Sequence, residues 1–431
     1  MNTFLEILSR LSGIVGIVII LGLCYLMSNN RKKINLKTIG VGLLMQFLLA
    51  VFVLKVPLGK VIIEFMAGCI RKILTFSNTG ADFVFGFLSS SAEKLDLLFF
   101  DGAGFLFSVK LIATIIFILA LVNILYYFGI MQKVVAFFAK IMYKLMDVSG
   151  AEALSNVASA FVGQVEAQIM IRPYLASATK SELLASMTGS MACIAGGVMA
   201  IYIAMGVNAE FLLAASIMAA PGALVVAKIV YPETEQSQTK EDVKVNIERT
   251  HVNLIDSIAH AASDGMKVSL NVIAMLIALL SLISLGDFLL GKIGLFLFNT
   301  CHIHLSFIDL STLSIKSILG LVFSFFALII GTPCHDALSV GALMGEKLVL
   351  NEFIAYTDLI ALKDVLSQKA IVIASFALCG FANFGSIAIQ IGGIGELAPS
   401  RRKDLAQLGI KALICGTLAS YISAAMAGIL M

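Results

Sequence analysis

Long apolar runs separated by short polar joints set the pattern of this chain. Leu8–Met27, Ile39–Val56, Ser108–Met131, Leu183–Met205, Phe211–Ile229, Ser269–Phe296, Ala370–Ile391 and Leu408–Leu430 each read as one membrane crossing. A helix needs roughly 20 mostly apolar residues to span the hydrocarbon core. Other stretches are less uniform. Val61–Asp96 is punctuated by Glu64, Arg71, Lys72, Asp82, Glu93, Lys94 and Asp96, and predicts interfacial or partly buried amphipathic helices. Pro232–Val252 is the one long hydrophilic stretch and predicts a solvated loop; Val252–Lys267 after it is amphipathic. Cys301–His304 reads CHIH, two ligand types side by side, but no third ligand accompanies them and a loop beside the membrane is the expectation.

Two stretches break the pattern in a way that calls for chemistry. Val134–Leu175 is too interrupted for a clean span, and inside it Ala160–Pro173 reads AFVGQVEAQIMIRP, setting Gly163, Gln164, Glu166 and Arg172 among oily residues. A central charge costs about 2.5 to 3.5 kcal/mol on insertion scales, so an intramembrane ionisable residue is by default a functional one. Gly163 invites a break, and freed backbone at membrane depth is tolerated where it lines protein or a watery cavity. The expectation is a hairpin tip that offers polar groups to a polar solute. The irregularity recurs after Ser317–Ile330 as GTPCHDALSVGALMGEKLVLNEFIAYTDL, with Asn351 and Glu352 in the corresponding place. Each acidic tip is followed, at a similar distance, by a polar-notched helix: Gly196 and Gly197 mark the first, Asn383 the second. Paired interrupted segments of this kind point to a transporter with internal repeats and a midplane site. In the second notch Asn383 and Ser386 are three apart and share a helix face, with Phe381 flanking them. An aromatic beside an amide and a hydroxyl suits a flat ring joined to a sugar; helix–helix hydrogen bonding is the competing use of the same residues.

Composition agrees with a polytopic α-helical membrane protein. The 431 residues are 59% hydrophobic and 13% charged, with a mean hydropathy of +0.99, against about 25% charged in soluble domains. An outer-membrane barrel would show alternating segments of about ten residues, and the continuous runs exclude it. A net charge of +3 gives no reason to expect a nucleic-acid partner. The seven cysteines are scattered and read as small buried hydrophobes. Arg31, Lys32, Lys33 and Lys37 follow the first span, and Arg401, Arg402 and Lys403 precede the last. By the positive-inside rule both clusters are cytoplasmic, which places both termini outside the cytoplasmic (inner) membrane. There is no GxxxxGK[ST] loop for direct ATP drive, no HExxH and no GxSxG elbow. The remaining readings are a secondary carrier, a passive channel, or a membrane-embedded enzyme acting on lipid or nucleotide-linked substrates.

Four segments then carry a resemblance. GQVEA at Gly163–Ala167, MACIAGGVMA at Met191–Ala200, KLVLNEFIAY at Lys347–Tyr356 and CGFANFGSIAI at Cys379–Ile389 resemble the concentrative nucleoside transporters, over roughly the last two thirds of the chain, and look like a bacterial member. The resemblance implies no enzyme and no cofactor. It implies an all-α elevator-type homotrimer: about eight transmembrane helices plus two re-entrant helical hairpins in an internal inverted repeat. The expected division is 1–131 as mostly scaffold, 132–230 as the first transport repeat, 231–267 as hydrophilic loop and amphipathic helix, 268–300 as a scaffold helix, and 301–431 as the second transport repeat.

By matching position, the resemblance gives Gln164 and Glu166 to the nucleobase, with Val198 and Phe381 as apolar walls, and Glu352, Asn383 and Ser386 to the ribose hydroxyls. The chain departs from the sodium-coupled pattern. Val165 stands where many members have Thr, Ser159 where the sodium site has Asn, and Cys193 where it has Ser; the backbone carbonyls of Val162 and Ile194 would complete that site. Hard cations prefer oxygen ligands. The expectation is therefore nucleoside uptake driven by protons, carried by Glu352 or Glu166, with sodium as the alternative coupling ion. His335 and Asp336 are expected to cap a hairpin.

Overall fold

The computed structural model describes residues 2–89, 107–240, 252–300 and 310–431. Among these residues there is no strand; the chain is a bundle of helices. Among the described residues four helices come first: α1 (Asn2–Leu26), α2 (Leu36–Leu54), α3 (Pro57–Phe85) and α4 (Phe107–Tyr127). Asn35 starts α2 by accepting from the amides of Lys37 and Thr38, which covers two of the amides that a helix start leaves unpaired. Pro57 at the first position of α3 needs no such cap.

A first unit follows: α5 (Ile130–Met146), a hairpin, a broken helix and a closing helix. The hairpin rises through α6 (Gly150–Ser159), turns over residues 160–165 and descends through the short α7 (Glu166–Ile169) and α8 (Arg172–Leu175). Its ascending arm begins with a capping box, Ser149 accepting from the Glu152 amide while the Glu152 carboxylate accepts from the Ser149 amide. The broken helix comprises α9 (Lys180–Ala192) and α10 (Gly196–Met205), separated by residues 193–195 and ended by Gly206 at φ +109. The closing helix is α11 (Ala209–Val230). After α12 (Leu254–Asn299) a second unit repeats this order: α13 (Ile315–Ile329), a hairpin of α14 (Ala337–Val349) and α15 (Glu352–Ala361), a broken helix of α16 (Gln368–Leu378) and α17 (Phe384–Leu397), and the closing α18 (Arg402–Leu430).

The two units run in opposite directions. Lys180 at the start of α9 pairs with Asp404 at the start of α18, and Ser181 donates to the Tyr231 carbonyl just past α11. The starts of α9 and α18 and the end of α11 therefore share one face of the molecule. Since α17 runs toward the start of α18, α16 begins at the other face, opposite to α9. This is an inverted repeat. The Asn29 amide donates to the Val230 carbonyl, so Arg31–Lys33 and Arg401–Lys403 lie at the same face, while Gly13 packs on Ile429 at the other.

Among the described residues six stretches are long and apolar enough to cross a membrane, namely α2, α4, the α9–α10 pair, α11, α12 and α18, and α1, α13, α16 and α17 are shorter apolar helices. Several expectations need correction. Val61–Asp96 is, as far as Ser89, one long helix and a short turn and not several helices. The amphipathic Val252–Lys267 and the span Ser269–Phe296 form one helix of 46 residues, because no glycine or proline separates them at Lys267–Ser269. The start of the hydrophilic loop is largely exposed, at Thr234, Glu235, Gln236, Gln238 and Lys240, but it is pinned: Thr239 is buried, its carbonyl accepts from Gly150, and Ser237 donates to Glu182 at 2.5 Å. Four cysteines are buried, but Cys69 and Cys334 are exposed. Asp336 does not cap its own helix; its carboxylate accepts from the Ser367 amide and hydroxyl, and so anchors the start of α16. His335 sits exposed beside it, 3.2 Å away. The CHIH segment and residues 90–96 and 241–251 lie outside the described residues.

Candidate functional site

The two hairpin tips and the two helix breaks converge at mid-depth. Asn351 and Asn383 account for much of the local geometry in the second unit. Asn351 caps α15 through the Ile354 amide, and Asn383 caps α17 through the Ser386 amide at 2.9 Å. Glu352 is thereby set at the first turn of α15, where a helix favours negative charge. It is 6% exposed. One carboxylate oxygen accepts from the Tyr202 hydroxyl at 2.9 Å and the other from the Asn383 amide at 3.0 Å. Both charge-assisted bonds compensate for desolvating the carboxylate. Tyr202 is itself fixed by Tyr356, ring centroids 4.8 Å apart, and Tyr356 donates to the Ser375 carbonyl.

From Asn383 the cluster continues across to the first unit. Gln164, at the tip of hairpin one, donates to the Ser386 hydroxyl at 3.0 Å, and Gln390 lies 3.4 Å from its carbonyl oxygen while donating to the Met187 carbonyl. Gln164, Glu352, Asn383 and Ser386, named from the sequence, thus form one connected set. Glu166 does not join it. That residue opens α7 as Glu352 opens α15, yet no side chain caps α7, and its exposed carboxylate folds back against Gly163. Val198 stands one turn past the first break and Phe381 inside the second, both half-buried.

The region named for an ion is a neutral cluster that meets the first set at the Gln164 backbone. The Ser159 hydroxyl bonds to the Ser155 carbonyl at 2.8 Å and to the Ser190 hydroxyl at 3.1 Å. Gln168 donates to the hydroxyls of Ser155 and Ser190, and Ser190 donates to the Gln164 carbonyl at 3.2 Å. Cys193, Ile194 and Val162 are buried around it, and the Phe161 carbonyl accepts from Gly196. Among the described residues no group of three metal-ligating side chains forms.

Sequence reasoning missed Tyr202, Gln390, Gln168 and Ser190. Gln390 had a signal, since Asn383, Ser386 and Gln390 follow i, i+3, i+7 spacing on one face. Tyr202 had none beyond being a polar-tipped aromatic in an apolar run. A cavity of about 250 Å³ lies elsewhere, between α3, α4 and α10, beside Arg71, Asn78, Lys110 and Met205; none of the clustered residues lines it.

Comparison with known proteins agrees with this architecture along the whole chain. Residues 15–88 and 211–428 match family models described as the N-terminus and C-terminus of Na+ dependent nucleoside transporters, and 108–209 match one described as nucleoside recognition. An uncharacterized transporter of Haemophilus influenzae is 41% identical over 98% of this chain and 98% of that protein. The nucleoside permease NupC of Helicobacter pylori is 36% identical with the same coverage of both. The transporter CNTnw, solved in an inward-facing substrate-bound state, superposes with a TM-score of 0.90 at 38% identity, covering 98% of each chain. The fold is that of an elevator-type transporter, and the enzyme reading is set aside. The chain belongs to the concentrative nucleoside transporter family.

Proposed function

We propose that this protein takes up nucleosides across the cytoplasmic membrane by cation symport, with the proton as the coupling ion. The observation that carries the reading is Glu352: a buried carboxylate between Tyr202 and Asn383, joined through Ser386 to Gln164 at the opposing tip. A carboxylate of this kind accepts well from vicinal hydroxyls. In the proposed complex, the ribose hydroxyls are held by Glu352, Asn383 and Ser386. Gln164 exchanges its bond to Ser386 for the nucleobase edge, Glu166 swings in from the exposed side, and Val198 and Phe381 bracket the ring. The names of the relatives, nucleoside permease among them, support the substrate class.

Proton coupling is supported by the ion region. The Ser159 and Ser190 hydroxyls have backbone carbonyls to donate to and lie 3.1 Å apart, and Gln168 supplies an amide donor to Ser190 where a cation would need acceptors. Glu352 and Glu166 remain as the groups able to carry the proton. The scaffold is assigned to 1–131 and 268–300, and the moving part to 132–230 and 301–431. The basic clusters at one face are taken as cytoplasmic, placing both termini outside. The assembly is taken as a homotrimer in the bilayer, whose large subunit contacts α12 could supply, since most of its apolar length lies outside the protein interior.

Radiolabelled uridine uptake into sodium-free proteoliposomes under an imposed inward proton gradient tests the coupling. Accumulation above equilibrium is expected, abolished by a protonophore. No accumulation until sodium is added would replace the proton by sodium and leave the substrate class standing. Equilibration without accumulation under either gradient would make the protein a channel.

A further inference from the structure

Lys347 is a charged side chain at membrane depth that the site described so far does not use. It lies on the ascending arm of hairpin two and is 1% exposed. Such a residue is rare at membrane depth, where it is expected to meet carbonyls or a counter-charge. Its ammonium donates to the Ala377 carbonyl at 2.9 Å, to the Cys379 carbonyl at 3.2 Å and to the Ser420 hydroxyl at 3.5 Å. Ser420, on α18, turns its own proton onto the Cys379 carbonyl at 2.7 Å. One ammonium thus uses its three donors on the end of α16, the start of its break, and the closing helix.

That location is where a broken helix most needs a cation. A helix end leaves its last carbonyls unpaired and carries partial negative charge. Gly380, just beyond, adopts φ +109 and sits so close to the Met191 and Ala192 carbonyls that an added Cβ would collide with them. The chain then passes through Phe381 to Asn383. Five residues after Lys347, across the hairpin tip, Glu352 opens α15 and accepts from Asn383. The break is therefore held from both sides by hairpin two. The counterpart break at residues 193–195 is met instead by backbone: the Gly196 amide just past it donates to the Phe161 carbonyl at the tip of hairpin one.

We infer that Lys347 is a tethered cation and a positioning residue: it holds the end of α16 and the break after it in the shape that presents Phe381 and Asn383 to the nucleoside. In the second unit it takes the place that a mobile ion occupies at a half-helix end. The inference rests on the proposed nucleoside site, and its test separates the two.

The test is uridine affinity by calorimetry on the purified full chain, together with thermal stability. Lys347→Met is expected to weaken uridine about tenfold or more, since it leaves the buried Ala377 carbonyl without this donor and the Cys379 carbonyl with Ser420 alone. In Lys347→Ala, ethylammonium is expected to restore affinity at least severalfold and to raise the melting temperature, whereas tetramethylammonium, which has no donor, does neither. Wild-type affinity in Lys347→Met, or equal response to the two amines, overturns the inference. If neither lysine variant folds, Ser420→Ala decides: a loss of about threefold in affinity is expected, and wild-type affinity overturns it. If the wild-type protein binds no uridine, the proposed substrate fails, and the amine-dependent melting temperature of Lys347→Ala still decides the role of Lys347.

Discussion

In the first unit the hairpin tip and the helix break meet through amides and hydroxyls, with Gln164, Gln168, Ser159 and Ser190 as the working groups. The corresponding place in the second unit holds a buried carboxylate and a buried ammonium, Glu352 and Lys347. Buried charge exists in the first unit too, but at the foot of its hairpin, while Glu166 at its tip is exposed: Glu152 pairs with Lys228, and Lys228 also reaches Ser181 and Glu233. Two copies of one element order have thus placed their buried charges differently. The difference teaches that the repeat supplies scaffolding, a tip facing a break, while the chemistry is set independently in each half. A planar base with amide-like edges suits the neutral half, and sugar hydroxyls suit the charged one.

The contrast is sharpened by substitutions that separate foot from tip. Lys228→Met leaves Glu152 buried without its partner and should cost on the order of 3–5 kcal/mol of stability, seen as a lower melting temperature, with uridine affinity held within about twofold. A larger loss of affinity than of stability there would mean the foot and tip are not separable. Glu352→Gln should reduce concentrative uptake about 100-fold, because it turns one of the two oxygens that accept from Tyr202 and Asn383 into a donor. Wild-type accumulation by that variant would remove Glu352 from both binding and coupling. Tyr202→Phe deletes one donor onto the same carboxylate and should weaken uridine about tenfold. Gln164→Ala, in the neutral half, should cost about fivefold, the scale of an uncharged hydrogen bond. Glu166→Gln is expected to have the smallest effect, about threefold, since its carboxylate is exposed and screened. An effect of Glu166→Gln exceeding that of Glu352→Gln would reverse the assignment of the charged half.

Much of this organisation is legible in the sequence. The long apolar helices follow from apolar runs, and the tips from Glu166 and Glu352, since a carboxylate is costly amid such residues and marks a functional position. The second break is visible because Asn383 and Ser386 are polar. The first is marked only by Gly196 and Gly197 just past it, because residues 193–195 are Cys, Ile and Ala and leave no trace in a hydropathy pattern. Glu166 and Glu352 look equivalent in sequence. What distinguishes them is burial, set by the Asn351 cap and by Tyr202 arriving from 150 residues away. Lys347 stands in a recognisable motif, but its acceptors are backbone carbonyls and carry no sequence signal.

The central claim is that a nucleoside is held between a neutral half and a charged half, with the sugar on Glu352. It is tested most directly by comparing uptake of uridine and 2′,3′-dideoxyuridine by the wild-type protein in proteoliposomes under the same driving gradient. Uridine uptake is predicted to exceed that of the dideoxy compound by at least about 100-fold, because buried groups built for hydroxyls would be left unpaired. Comparable uptake of the two would contradict the claim.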